Sequence, residues 1–457
     1  MRVSVTSAGV LGLKICVLAG MLACFEGGGS DDQNQSGYDD HGSTFTPDFE
    51  GGVDVIITPQ GDRLLAATAV GNLYVVDLET RAAIPVDDVQ LPSVANFSRN
   101  GRWAYVYSGP TRRLVAIDLL IPLRSRTTIA SSLTVEVGSG THRYLDVSPD
   151  DGSIVLSDAS GLLEIVDTAS FSPRAAIDLA DRVVDLDFAV DSRKALVTGR
   201  GGGFEAAQVH FVDLDTAAAR VLEVPNCADE LVIADAGRRA FLAPTFCRQP
   251  GTASSPSRMA DPISVIDVET ETFVQNLPGF GPVYPTPDQR TVVGFAFAPE
   301  AAVAEGWAPG AYLVFVDTRT LFLSWTSLGT EQLPSYWITP DGTSLVVNTW
   351  DATALTIVDV ESREITPVSG VTDALILDDF VSTRDGDIVY FRSGLQSSLF
   401  RLDVALSEVR PLPLAFDVAG LNILPDDSRV VLAASTPGAF HLLDTSSDQL
   451  VGSFTVP

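Results

Sequence analysis

Nine times along this chain a short apolar run ends in an aspartate, at Asp77, Asp118, Asp167, Asp213, Asp267, Asp317, Asp359, Asp403 and Asp444. Successive members lie 41 to 54 residues apart. The clearest copy of the unit runs from Ser335 to Ser362, SYWITPDGTSLVVNTWDATALTIVDVES. An apolar run ends in Thr339-Pro340-Asp341-Gly342, a second follows from Ser344 to Thr349, and a third stops at Asp359. Proline presets φ and glycine accepts a positive φ, so the first junction predicts a tight reversal between strands. Asp359-x-x-Ser362 predicts a second reversal, its carboxylate accepting backbone N–H bonds. Ser or Thr follows three residues after seven of the nine aspartates, all except Asp118 and Asp403. That local pairing marks the series as scaffold and not as a calcium site. A fourth strand comes next, as from Arg174 to Leu179 or Leu450 to Val456.

Four short strands per period, with no long 3.6-residue stripe anywhere, predict an all-β chain. A period in the forties makes it a single β-propeller of four-stranded blades, covering 51–457. Nine units exceed the usual four to eight blades, so the count is nine, with eight the alternative. Units four and five are degraded, around Ala189-Val190-Asp191 and Ala234-Asp235-Ala236-Gly237. The chain starts on an innermost strand and ends on an outermost one. The ring is therefore expected to close by packing alone.

The unit resembles the YVTN-type repeats of bacterial surface-layer, lactonase-like and related secreted propellers. In those, an apolar-Ser-Pro-Asp-Gly turn leads to a Tyr-Val-Thr-Asn-like strand and then to an apolar-Ile-Asp-x-x-Thr strand. Leu345-Val346-Val347-Asn348-Thr349 is the nearest echo of the middle element. His142, in Gly140-Thr141-His142-Arg143, stands where related repeats carry Pro-His-Gly. The resemblance implies a fold over about residues 53 to 457. It implies no single activity, because propellers of this kind serve unrelated roles.

Residues 1–23 carry Arg2 and Lys14, no acid, and an apolar run from Ile15 to Ala23 before Cys24. That pattern predicts a secretory signal, too short to span a membrane. Met21-Leu22-Ala23-Cys24 resembles the bacterial lipoprotein cleavage box, which would make Cys24 the lipidated first residue; an ordinary secretory peptide is the alternative. Residues 24–50 are rich in Gly, Ser and Asp and read as a lipid-anchored, disordered acidic tether. Its reach is roughly 25–30 Å. The chain is expected on the extracytoplasmic side of a bacterial cell envelope, held to a membrane, as a monomer. Cys227 and Cys247 flank a predicted hairpin centred on Gly237, which would set them opposite each other for a disulfide worth about 3 kcal/mol.

Net charge is −30, with 59 acidic and 29 basic residues, which argues against nucleic acid. Lysine occurs only at Lys14 and Lys194. No HExxH, P-loop or GxSxG motif is present, and no His/Cys grouping suits a metal, so neither metal nor cofactor is expected.

Two groups of candidate binding residues remain. Taking the residue two before each first turn gives Ile56, Asn96, Asp146, Asp187, Val232, Tyr284, Trp337, Val381 and Asn422. Innermost strands line the channel, so Asn96, Asp146 and Asp187 would form an acceptor-rich arc facing Tyr284 and Trp337, with Asn422 and His142 nearby. The bland reading is that these side chains satisfy backbone groups of the next blade. The second group lies on connections between second and third strands. These lengthen in three consecutive units, Gly199 to Ala206, Cys247 to Ala260 and Ala298 to Gly310. They bring Arg200, Phe204, Arg248, Arg258 and Trp307 to one face, residue types that dominate hot spots. Two functions follow: a non-catalytic scaffold binding an envelope protein or a small polar ligand, or a lactonase-like hydrolase with its site over the channel.

Overall fold

The computed structural model describes residues 43–44 and 53–457, apart from 69, 124–127, 131, 138–141, 159, 181, 192, 201–206, 226–229, 245–261, 298–309, 330–333, 350–354, 371–376 and 394–397. It contains nine antiparallel blades, each with four strands in chain order from the channel outward. They cover 53–90, 92–136, 142–178, 182–223, 230–277, 280–327, 334–367, 377–412 and 418–455, and are numbered blades 1 to 9. The count of nine holds.

Turn chemistry sets the strand spacing. In blade 7 the Gly342 N–H donates to the Thr339 carbonyl at 2.7 Å. The Thr339 hydroxyl accepts the Ser344 N–H at 3.0 Å, and Asp341 accepts the Thr343 N–H at 3.1 Å. Gly342 has φ 73°. A Cβ on it would also sit 2.5 Å from Cδ of Pro287, in the first turn of blade 6. Glycine is thus required twice, for the turn and for the approach of the neighbouring blade.

The second turn works as its spacing implied. Asp167 accepts both the N–H and the hydroxyl of Ser170, at 2.8 and 2.7 Å. Asp77, Asp213, Asp267, Asp317 and Asp444 hold the Thr or Ser three residues on in the same two-bond way. Asp118 and Asp403, without that partner, accept the N–H of Leu120 and of Leu406 instead. The residue after the turn takes a positive φ even where it carries a side chain, as at Arg81, Phe171, Ala217 and Arg363.

These bonds have a pH signature. The Ser170 N–H, then its hydroxyl and Arg174, hold the Asp167 carboxyl down at about 2. Asp213, Asp267 and Asp359 are lowered too, chiefly by the backbone N–H of Thr216, Thr270 and Ser362. Each folded-state pKa lies below its unfolded value, so the stabilisation is complete above about pH 4 and fades as pH falls toward 2. Urea midpoints measured from pH 6 to 2 should drop steeply below pH 4, and less steeply in Asp167→Asn. An identical acid slope in the variant would sink this account.

The core is nine clusters, one at each interface between neighbouring blades. The apolar residues of each strand alternate faces, so every blade contributes to two of them. Tyr336 and Val347 of blade 7 pack on Phe315 of blade 6, for example, while Trp337 and Val346 pack on Phe391 and Phe400 of blade 8. Among the described residues the ring closes as expected, by packing without a shared strand. Leu64, Ala66 and Val76 of blade 1 meet Val431, Phe440, Leu442 and Phe454 of blade 9, all buried. Phe440 and Phe454 stack at 5.1 Å. Arg81 donates to the Val451 carbonyl across the seam at 3.1 Å.

Two findings adjust the sequence reading. Within the stretch read as a disordered tether, Ser43–Thr44 forms a short strand on the channel side of blade 2. In blade 5, Ala234 pairs with Arg239 and Glu230 with Ala243. That hairpin therefore turns about the Ala236–Gly237 peptide and not on Gly237 itself. Cys227 and Cys247 lie outside the described residues, as does all of 1–42.

Candidate functional site

Four of the channel candidates make three side-chain contacts. Asn96 donates to Asp146 at 3.1 Å and to the Leu145 carbonyl of blade 3 at 3.4 Å. Tyr284 meets Tyr336 edge-on at 5.4 Å, and Trp337 meets Phe380 at 5.1 Å. Asp187 points elsewhere. One of its oxygens accepts the Ile233 N–H of blade 5 at 3.0 Å, and the other accepts the N–H of Phe188. Asp146 likewise accepts the N–H of its own neighbour, Val147, at 2.7 Å. Asn422 sits half-buried opposite Val431. His142 begins the innermost strand of blade 3, His142–Val147; its side chain lies outside the described residues.

A second acidic series does the same work, and the sequence reading passed over it. Asp185 accepts the Leu231 N–H at 2.7 Å, Glu230 the Val283 N–H at 3.2 Å, and Asp379 the Leu421 N–H at 2.9 Å. Each acid stands four residues before its own turn, and each N–H belongs to the residue three before the next turn. The rule is one of geometry: an acid on one innermost strand caps the exposed edge of the next. The signal was present, since these positions share a strand face with the series taken two before the turn. A buried N–H without such an acceptor costs about 1–3 kcal/mol, so these latches bind blade to blade.

Phe204, Arg248, Arg258 and Trp307 lie outside the described residues, as does the side chain of Arg200. Their flanks are described. Lys194–Arg200 with Gln208–Asp213, Arg239–Ala243 with Ile263–Asp267, and Thr291–Phe297 with Ala311–Asp317 are second and third strands of blades 4, 5 and 6. These are neighbours in the ring.

On the opposite face, where the turns lie, a cavity of about 360 Å³ opens between blades 4 and 5. Val190, Asp191, Lys194, Gly237, Arg238 and Glu269 line it. It coincides with the two units whose Pro-Asp-Gly turn is degraded. Its lysine is engaged by Glu271 at 2.6 Å, and Glu271 also accepts Arg220 at 2.7 Å. Flanked by two cations, the Glu271 carboxyl is held below its usual range despite the opposing effect of burial.

Among the described residues, no group of three or more His, Cys, Asp or Glu could hold a metal ion. No described helix is long and apolar enough to cross a membrane.

No protein-family model matches the chain, and no curated protein matches it either. Solved structures do. A eukaryotic initiation factor aligns with a TM-score of 0.56 at 13% identity, over 79% of this chain and 84% of that one. The dihydro-heme d1 dehydrogenase NirN aligns with a TM-score of 0.46 at 18% identity, over 69% of this chain and 66% of that one, just under two thirds of its length. The Cps50 (Swd1) propeller domain of Myceliophteria thermophila gives 0.41 at 10% identity, over 76% and 94%. At 13% identity the likeness to the initiation factor bears on the fold alone.

Proposed function

We propose that this chain is a YVTN-type repeat lipoprotein of the bacterial cell envelope. Its ring serves as a non-catalytic scaffold that binds an envelope protein. The observation that carries this reading is the use made of the inward-facing acids. Asp185, Asp187, Glu230 and Asp379 are each committed to a backbone N–H of the next blade, which suits a rigid frame. A hydrolytic site needs such groups held toward a substrate. Supporting the choice of face, the three long connections, which carry Arg200, Phe204, Arg248, Arg258 and Trp307 in sequence, spring from neighbouring blades.

The test begins with attachment. In bacterial cells the full chain should fractionate with membranes, and Cys24→Ala should release it in soluble form. Continued membrane association of that variant would refute the lipoprotein reading. Shortening all three loops should abolish capture of an envelope partner while leaving the urea midpoint unchanged. Capture that survives the triple deletion would move the binding surface to the channel.

A further inference from the structure

The channel edges of the innermost strands are capped unevenly. An unpaired strand edge offers a row of N–H and C=O groups to any extended segment that reaches it. In blades 5, 6 and 9 the edge N–H three residues before the turn is taken by a carboxylate of the preceding blade, from Asp185, Glu230 and Asp379. Asp187 takes a further one, at Ile233. Ile56 of blade 1 stands where Asp187 stands in blade 4, and Val232, Tyr284, Trp337 and Val381 stand there before blades 6 to 9, so that position does not set blade 2 apart; its pairing with Ser43–Thr44 does. Asp54 holds the position of Asp185, and its side chain lies outside the described residues.

It is on blade 2 that Ser43–Thr44 sits, inside the innermost strand Pro92–Phe97. Ser43 lies opposite Ala95 and Thr44 opposite Val94, antiparallel. The short strand also lies against His142–Val147 of blade 3. In blade 5 the N–H three residues before the turn points at the channel edge. Ala95, three before Ser98, holds the same position, which makes Ser43 and Ala95 the hydrogen-bonded pair. Direction follows from the pairing. Innermost strands run from the loop face to the turn face, so an antiparallel partner runs from the turn face toward the loop face. Val53, the first residue of blade 1, starts on the loop face.

We propose that the N-terminal segment is docked in the channel through Ser43–Thr44, which adds to blade 2 as an inner strand running from turn face to loop face. The occupant of this edge is therefore the chain's own segment. Combined with the lipid anchor proposed above, this direction sets the turn face toward the membrane and the long loops away from it. The docking itself does not depend on the anchor.

A photoreactive residue, p-benzoylphenylalanine, placed at Ser43 of the full chain tests this. After irradiation and digestion, the dominant adduct should join position 43 to peptides from 92–97 or 142–147 within one molecule. The same probe at Ser36 supplies the background. Adducts on outer strands, adducts between molecules, or none above background would overturn the docking. Amide exchange gives a readout that needs no probe. Ala95 should be protected in the full chain and lose that protection when 25–50 is deleted; unchanged protection overturns the proposal. Both measurements are repeated in Cys24→Ala. The adduct should persist there, and its loss would show that the membrane and not the channel edge holds the segment.

Discussion

Phe440→Ala is expected to lower the unfolding free energy by about 3–5 kcal/mol, the usual cost of emptying a large aromatic site in a packed core. Phe440 is 1% exposed and stacks on Phe454 at 5.1 Å, at the interface of blades 9 and 1. Among the described residues no strand is shared across this seam, so packing is the main tie there, with Arg81 to Val451 beside it. Phe241, 0% exposed between blades 5 and 6, is a matched control inside a chain-connected interface. Both alanine variants should lose comparable stability in urea. Only Phe440→Ala should also open the ring first, with blade 1 and blade 9 amides exchanging ahead of the rest. Simultaneous exchange of all blades in that variant would show that the seam is no weaker than the other interfaces.

The double variant Asp185→Ala, Asp187→Ala is expected to cost about 2–5 kcal/mol, because two edge N–H groups of blade 5 lose their acceptors. Leu231 N–H lies 2.7 Å from Asp185 and Ile233 N–H 3.0 Å from Asp187. The asparagine pair, Asp185→Asn, Asp187→Asn, keeps one acceptor oxygen at each site where the carboxylate offers two, and should recover part of the loss. Urea denaturation of the three proteins separates a latch from a ligand site. A latch predicts stability loss with asparagine rescue and unchanged partner capture. An alanine pair as stable as the parent would mean that these acids are not what ties blade 4 to blade 5.

What the sequence determined is what its neighbouring residues could settle among themselves. Asp167 and Ser170 are three residues apart, and a turn brings them together whatever the rest of the chain does; the same holds for Thr339, Gly342 and Ser344. From those reversals and the alternation between them followed the strands, the blades and their count. The channel was legible only as a choice between readings. Asp187 finds its donor in the N–H of Ile233 and Asp379 in that of Leu421, residues more than forty positions on. Only the rotation from one blade to the next decides whether such an acid faces open channel or a neighbour's backbone.

The cavity of blades 4 and 5 was visible as two degraded turns and acquired a shape only in the ring. The strand at Ser43–Thr44 left no trace in the sequence at all. Its composition is that of the surrounding polar segment, and its pairing is backbone to backbone. An edge N–H or carbonyl belongs to every residue alike, so nothing in the side chains of Ser43 or Ala95 names the other. Which edge takes such a pairing is a property of the assembled ring.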